Sequence, residues 1–96
     1  MPETQLKLEW EKTSKAKFDA MIVRIPLFHR EIARKVAVKK AEINAQERGS
    51  QVVEESDIIR AFFSEVPMAF YSLMIRLLDE VGFNYKPFAA KQNTTA

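Results

Sequence analysis

Pro26 and Gly49 bound a stretch, residues 27 to 48, that contains no other helix breaker and is long enough for about six helical turns. Proline suits a helix start, and glycine suits the position just past a helix end, where a left-handed residue closes the last turn. The apolar residues between them fall into two sets. Phe28, Ile32, Val36 and Ile43 make one stripe, and Ala33, Ala37, Val38, Ala41 and Ala45 make a second side. The polar sector of Glu31, Lys35, Lys39, Glu42 and Gln46 is narrow. A helix that is apolar on two sides calls for neighbours on both, and the alanines allow one of them a close approach. The fold class this implies is all-α: a small bundle of about four helices with a long central second helix.

The flanking segments supply the other helices. After a polar lead over residues 1–12, Thr13 or Ser14 can cap a first helix whose Phe18, Met21, Ile22 and Ile25 recur at helical spacing. Val52 and Val53 sit in a strap after Gly49. A third helix follows, capped by Ser56 or a nearby acidic residue, with Glu54, Glu55 and Asp57 favoured by the positive end of its dipole. Ile58, Ile59, Phe62, Phe63 and Val66 form its buried stripe. Pro67 opens a fourth helix that ends near Gly82. Residues 67–88 read as this extra apolar helix plus the anchors Tyr85 and Phe88, and residues 89–96 read as a disordered tail. The fourth helix is apolar over more than half its circumference, so Phe70, Tyr71, Met74 and Leu78 are candidates for a surface that a partner helix or a second copy covers.

Composition narrows the chemistry. With no cysteine, the chain acting alone has no disulfide, thiolate metal site, iron–sulfur ligation or cysteine nucleophile. Its two glycines leave no phosphate-cradling loop, and its serines stand in no nucleophile motif. No residues are assigned to catalysis, to a metal or to a cofactor, and an enzyme acting alone is not the expected reading. The longest apolar run, Val66 to Ile75, is too short for a membrane span, so no membrane insertion is expected and a cytosolic, soluble protein is. Residues 1 to 50 hold eleven Lys/Arg against seven Asp/Glu, and residues 51 to 96 hold four against six. That polarity is modest beside dedicated nucleic-acid binders, and nucleic acid is not the expected partner.

The segment RIPLFHREIARK, residues 24–35, concentrates the interesting side chains. His29 is the sole histidine; it could ligate a tetrapyrrole metal axially, but no second ligand stands at i+3 or i+4. Arg30 and Arg34 lie one turn apart on the alanine side, where a guanidinium needs either an internal acceptor or a carboxylate from a ligand or partner. Arg24, Lys40 and Arg48 extend the pair into a basic face. Phe28, His29, Arg30 and Arg34 are therefore the candidate ligand- or partner-binding residues.

The order Trp10, Ala16, Ile25, Pro26, Phe28, Arg30, Arg34, then AQERG at 45–49, Val52 or Val53, Ile58 and Ala61 resembles the PCP reductase domain. That domain is the small C-terminal helical part of the light-independent protochlorophyllide reductase B subunit. The resemblance covers about residues 8 to 66, within a helical domain placed at 13–66, and leaves residues 67 to 96 outside it. It implies an accessory or binding domain attached to a nitrogenase-like reductase of tetrapyrrole (chlorophyll-type) biosynthesis, with the redox chemistry held elsewhere. A tetrapyrrole is the small ligand it points to. His29 departs from the aliphatic residue expected before the arginine. Two other readings stay open: a protein–protein assembly or homodimerisation module, and a histone-like DNA-binding protein, suggested by the long helix, strap and short third helix.

Overall fold

The computed structural model describes residues 8–93. In chain order they form strand β1 (Glu9–Trp10), helix α1 (Lys12–Ile22), helix α2 (Leu27–Glu47), strand β2 (Val52–Val53), helix α3 (Glu55–Glu65), a 3₁₀ turn (Met68–Phe70), helix α4 (Tyr71–Val81) and helix α5 (Lys86–Asn93). The protein is an all-α bundle with a long second helix.

α2 ends as its sequence predicts. Gly49 adopts φ +77°, and the Ser50 amide donates to the Ala45 carbonyl at 2.9 Å, closing the last turn. The chain then reverses, and α3 runs back along α2. Its start is tied to the end of α2, since Asn44 Nδ2 donates to the Asp57 carbonyl at 3.0 Å. Its end lies level with the middle of α2, where Glu65 shares a depression with Val36, Lys39 and Ile43. Ala37, Ala41 and Ala45 are buried here, and their small side chains let Ile58, Ile59, Ala61 and Phe62 approach closely.

Asp57 is fully buried and anchors this corner. Arg48 donates to it twice, from Nε at 2.9 Å and from Nη2 at 2.6 Å, and the Glu54 amide donates to Oδ2 at 2.9 Å. Glu54 and Asp57 form a reciprocal capping box, so the acidic run starts α3, and of the two expected alternatives the cap is the acidic residue, Glu54, and not Ser56. The hydrogen bonds with Asp57 hold the Arg48 guanidinium above its usual range.

Residues 9 and 10, expected to be part of a polar lead, form a strand instead; residues 1–7 lie outside the described residues. β1 pairs in parallel with β2, Glu9 opposite Val52 and Trp10 opposite Val53. Trp10 stacks toward Phe18 at 5.3 Å and donates Nε1–H to Glu42 at 3.2 Å, so the strand closes one end of the core. Because the chain leaves this strand directly into α1, the cap falls on Glu11 rather than on Thr13 or Ser14. The Glu11 carboxylate accepts from the Ser14 hydroxyl at 2.7 Å, the Ser14 amide at 2.8 Å and the Thr13 amide at 3.1 Å.

α4 packs against α1. Met74, Leu77 and Leu78 meet a core that includes Phe18, Met21 and Ile22, and Lys17 donates to the Gly82 carbonyl at 3.0 Å. Tyr71 meets Phe63 edge-on and donates its hydroxyl to the Phe63 carbonyl. The expected tail also differs: Ala89 to Asn93 continue α5, and residues 94–96 lie outside the described residues.

Two outcomes follow from these anchors. Asp57→Ala removes the α3 cap and leaves Arg48 without its partner, and should cost about 3 kcal/mol in urea unfolding. The hydrogen bonds from Ser14 and Thr13 hold the Glu11 carboxyl below its ordinary value of 4.5. Its stabilisation is therefore complete above that value and is lost as pH falls through the lower folded-state value. Glu11→Gln should flatten the acid-side fall of the melting temperature, measured from about pH 6 to pH 2.

Candidate functional site

The eleven residues of α3 cover only half of the 21-residue α2, because both rise by about 1.5 Å per residue. The N-terminal half of α2 projects beyond the end of α3. Along it Phe28 is 94% exposed, Ile32 69% and Val36 40%, at positions i, i+4 and i+8. At about 100° per residue these three span roughly 80° of arc, and they face away from Ala37 and Ala41. The alanine side of α2 is covered as expected; the stripe expected to meet a second neighbour is not. Ile43, half-buried, continues the line into a shallow depression of about 350 Å³ lined with Val36, Lys39, Lys40 and Glu65. Leu27 and Val23 are exposed beside the tip, on other sides of it.

The four residues singled out from the sequence have different fates. Phe28 heads the stripe, and His29 beside it is exposed. Arg30 turns inward. Its Nε donates to the Ile25 carbonyl at 3.2 Å, and its Nη2 donates to the carbonyls of Val23 at 2.9 Å and Ile25 at 3.0 Å. Those carbonyls belong to the exit of α1, so Arg30 fixes the α1–α2 corner and is not available as a free anion receptor. Arg34 remains on the surface, 2.6 Å from Glu31, which it holds below the usual carboxylate range.

The proposed α4 surface requires correction. Met74 and Leu78 are core residues, 3% and 0% exposed, because their side of α4 packs toward α1. Tyr71 is half-buried through its contact with Phe63. Phe70 stays exposed, near Met68 in the 3₁₀ turn.

A second open depression, of about 270 Å³, lies between α2, α3 and α5 and is lined with Lys40, Asn44, Glu47, Arg60, Phe63, Ser64 and Phe88. Among the described residues, no three His, Asp or Glu side chains converge as metal ligands. No single helix among them is long and apolar enough to cross a membrane. Ile32 and Val36 are the surface residues that sequence reasoning missed. The signal was present in the unequal lengths of the second and third helices, which leave half of the longer one uncovered.

Comparison with known proteins found no matching family model, no matching curated protein and no matching solved structure.

The two arginines should separate on substitution. Arg30→Met gives up three charged hydrogen bonds and should cost about 1–2 kcal/mol in chemical denaturation. Arg34→Ala, at an exposed pair, should leave the denaturation midpoint unmoved.

Proposed function

We propose that this chain is a non-catalytic binding domain that engages a protein through the projecting half of α2. The observation that carries this reading is the exposure of Phe28, together with Ile32 and Val36, on the side opposite the buried one. A lone exposed apolar residue is ordinary on a protein surface, but an aligned row on an unsupported helix is the form of a partner-binding face. The resemblance to the PCP reductase domain names a class of partner: the catalytic part of a nitrogenase-like, tetrapyrrole-reducing enzyme, with this chain as its accessory. Within that signature, Trp10, Pro26 and Arg30 have internal work, building the core and the α1–α2 corner. Phe28 has none, and an external partner supplies the missing contact.

The test is binding of this chain, by surface plasmon resonance, to a light-independent protochlorophyllide reductase B subunit lacking its own small C-terminal domain. Saturable binding is expected for the parent and loss of binding for Phe28→Ser/Ile32→Ser. The double variant should keep its unfolding free energy within about 0.5 kcal/mol, since both sites are exposed. Absence of binding overturns the reductase link. Added protochlorophyllide tests the small ligand separately: an absorbance shift lost in His29→Ala places the tetrapyrrole at the tip.

The two alternatives have less support. Homodimerisation would use the same stripe but bring two basic flanks together. DNA binding would set an apolar row against phosphates, which bind through charge.

A further inference from the structure

Lysines lie along and beside the stripe: Lys35, Lys39 and Lys40. Glu31, the acid on the Lys35 side, already faces Arg34 at 2.6 Å. On the helix surface, Lys35 borders the stripe on one side and His29 and Lys40 border it on the other. Lys39 lies within the stripe's own arc, between Val36 and Ile43, and lines the depression at its base. No acidic side chain among the described residues forms an ion pair with Lys35, Lys39 or Lys40.

Resting on the binding-domain reading, we infer that the occupant of this face is an acidic amphipathic helix of another protein. Its apolar ridge lies along Phe28, Ile32 and Val36, and its carboxylates meet Lys35, Lys39 and Lys40. Three features select this partner over the other covers of an apolar face. A stripe about 80° wide matches the seam between two packed helices, whereas a face sunk in lipid is broader. Lys39 within the arc would be carried toward acyl chains by membrane insertion, but at a helix seam it meets a flanking carboxylate. A second copy of this chain brings its own lysines to the same seam, and like charges across an interface oppose pairing. The depression at Ile43, where α3 ends, gives the partner helix a stop, and Lys39 and Lys40 line it within reach of the partner's carboxylates.

The experiment uses the full chain and two labelled three-heptad peptides with identical leucine seams, one flanked by glutamates and the other by lysines. Fluorescence anisotropy should show the glutamate peptide bound at least about tenfold more tightly than the lysine peptide, with the preference shrinking as salt rises. Ile32→Asp should abolish binding, and Lys35→Glu/Lys39→Glu/Lys40→Glu should reverse the preference. Circular dichroism of each variant checks that the fold is retained. Backbone amide shifts on binding should map to residues 28–43. Equal affinities, binding of neither peptide, or shifts mapping elsewhere overturn the inference. So does dimerisation through the stripe in light scattering, or burial of the stripe on phosphatidylserine vesicles that the glutamate peptide cannot displace. If the reductase subunit fails to bind while the glutamate peptide docks at 28–43, only the reductase link is lost. If the subunit binds and the peptide does not, only the partner chemistry is lost.

Discussion

A carboxylate with no access to water needs hydrogen-bond donors in water's place, and three converge on Asp57. Arg48 reaches it from the end of α2, the Glu54 amide reaches it from the strap, and its own helix begins there. Asn44 binds the backbone of the same residue from the preceding turn of α2. The reversal between the two helices is thus tied at one residue, and the direction of α3, the depth of its Ile58–Phe62 face and the position of β2 follow from it. Buried charge of this kind adds little net stability when satisfied, but it strongly disfavours arrangements that leave it unsatisfied. It specifies the hairpin more than it strengthens it.

Much of this was legible in the chain. Pro26, Gly49 and Gly82 mark boundaries because each acts through its own backbone, independently of distant residues. The acidic start of α3 is legible for the same reason. What was hidden depended on partners far away in sequence. Two residues of strand carry no periodicity, and Glu9–Trp10 becomes a strand only because Val52–Val53 lies alongside it. Glu11 takes the cap from Thr13 and Ser14 because the strand delivers the chain at that point. Helical spacing showed that Met74 and Leu78 share a stripe, but not whether α1 or a foreign surface would cover it.

The candidate surface was half-legible for a related reason. Two apolar sides were evident on the second helix, and both were assigned neighbours. The fold has one neighbour long enough for half of one side, so the remaining stripe stands open. Arg30 and Arg34 looked equivalent by spacing, yet one lies over the carbonyls leaving α1 and the other points to water. A single turn of helix separates a structural clamp from a surface ion pair.

The clamp has a further consequence for association. An isolated helical segment as short as the projecting half of α2 is marginal in water and would need a partner to order it. Here Arg30 and the continuous α2 backbone hold it formed beforehand. A partner meeting this face would not lose affinity to the ordering of a loose segment on this side. Recognition would proceed by collision with a rigid rod rather than by coupled folding, and selectivity would reside in side-chain register and charge rather than in induced shape.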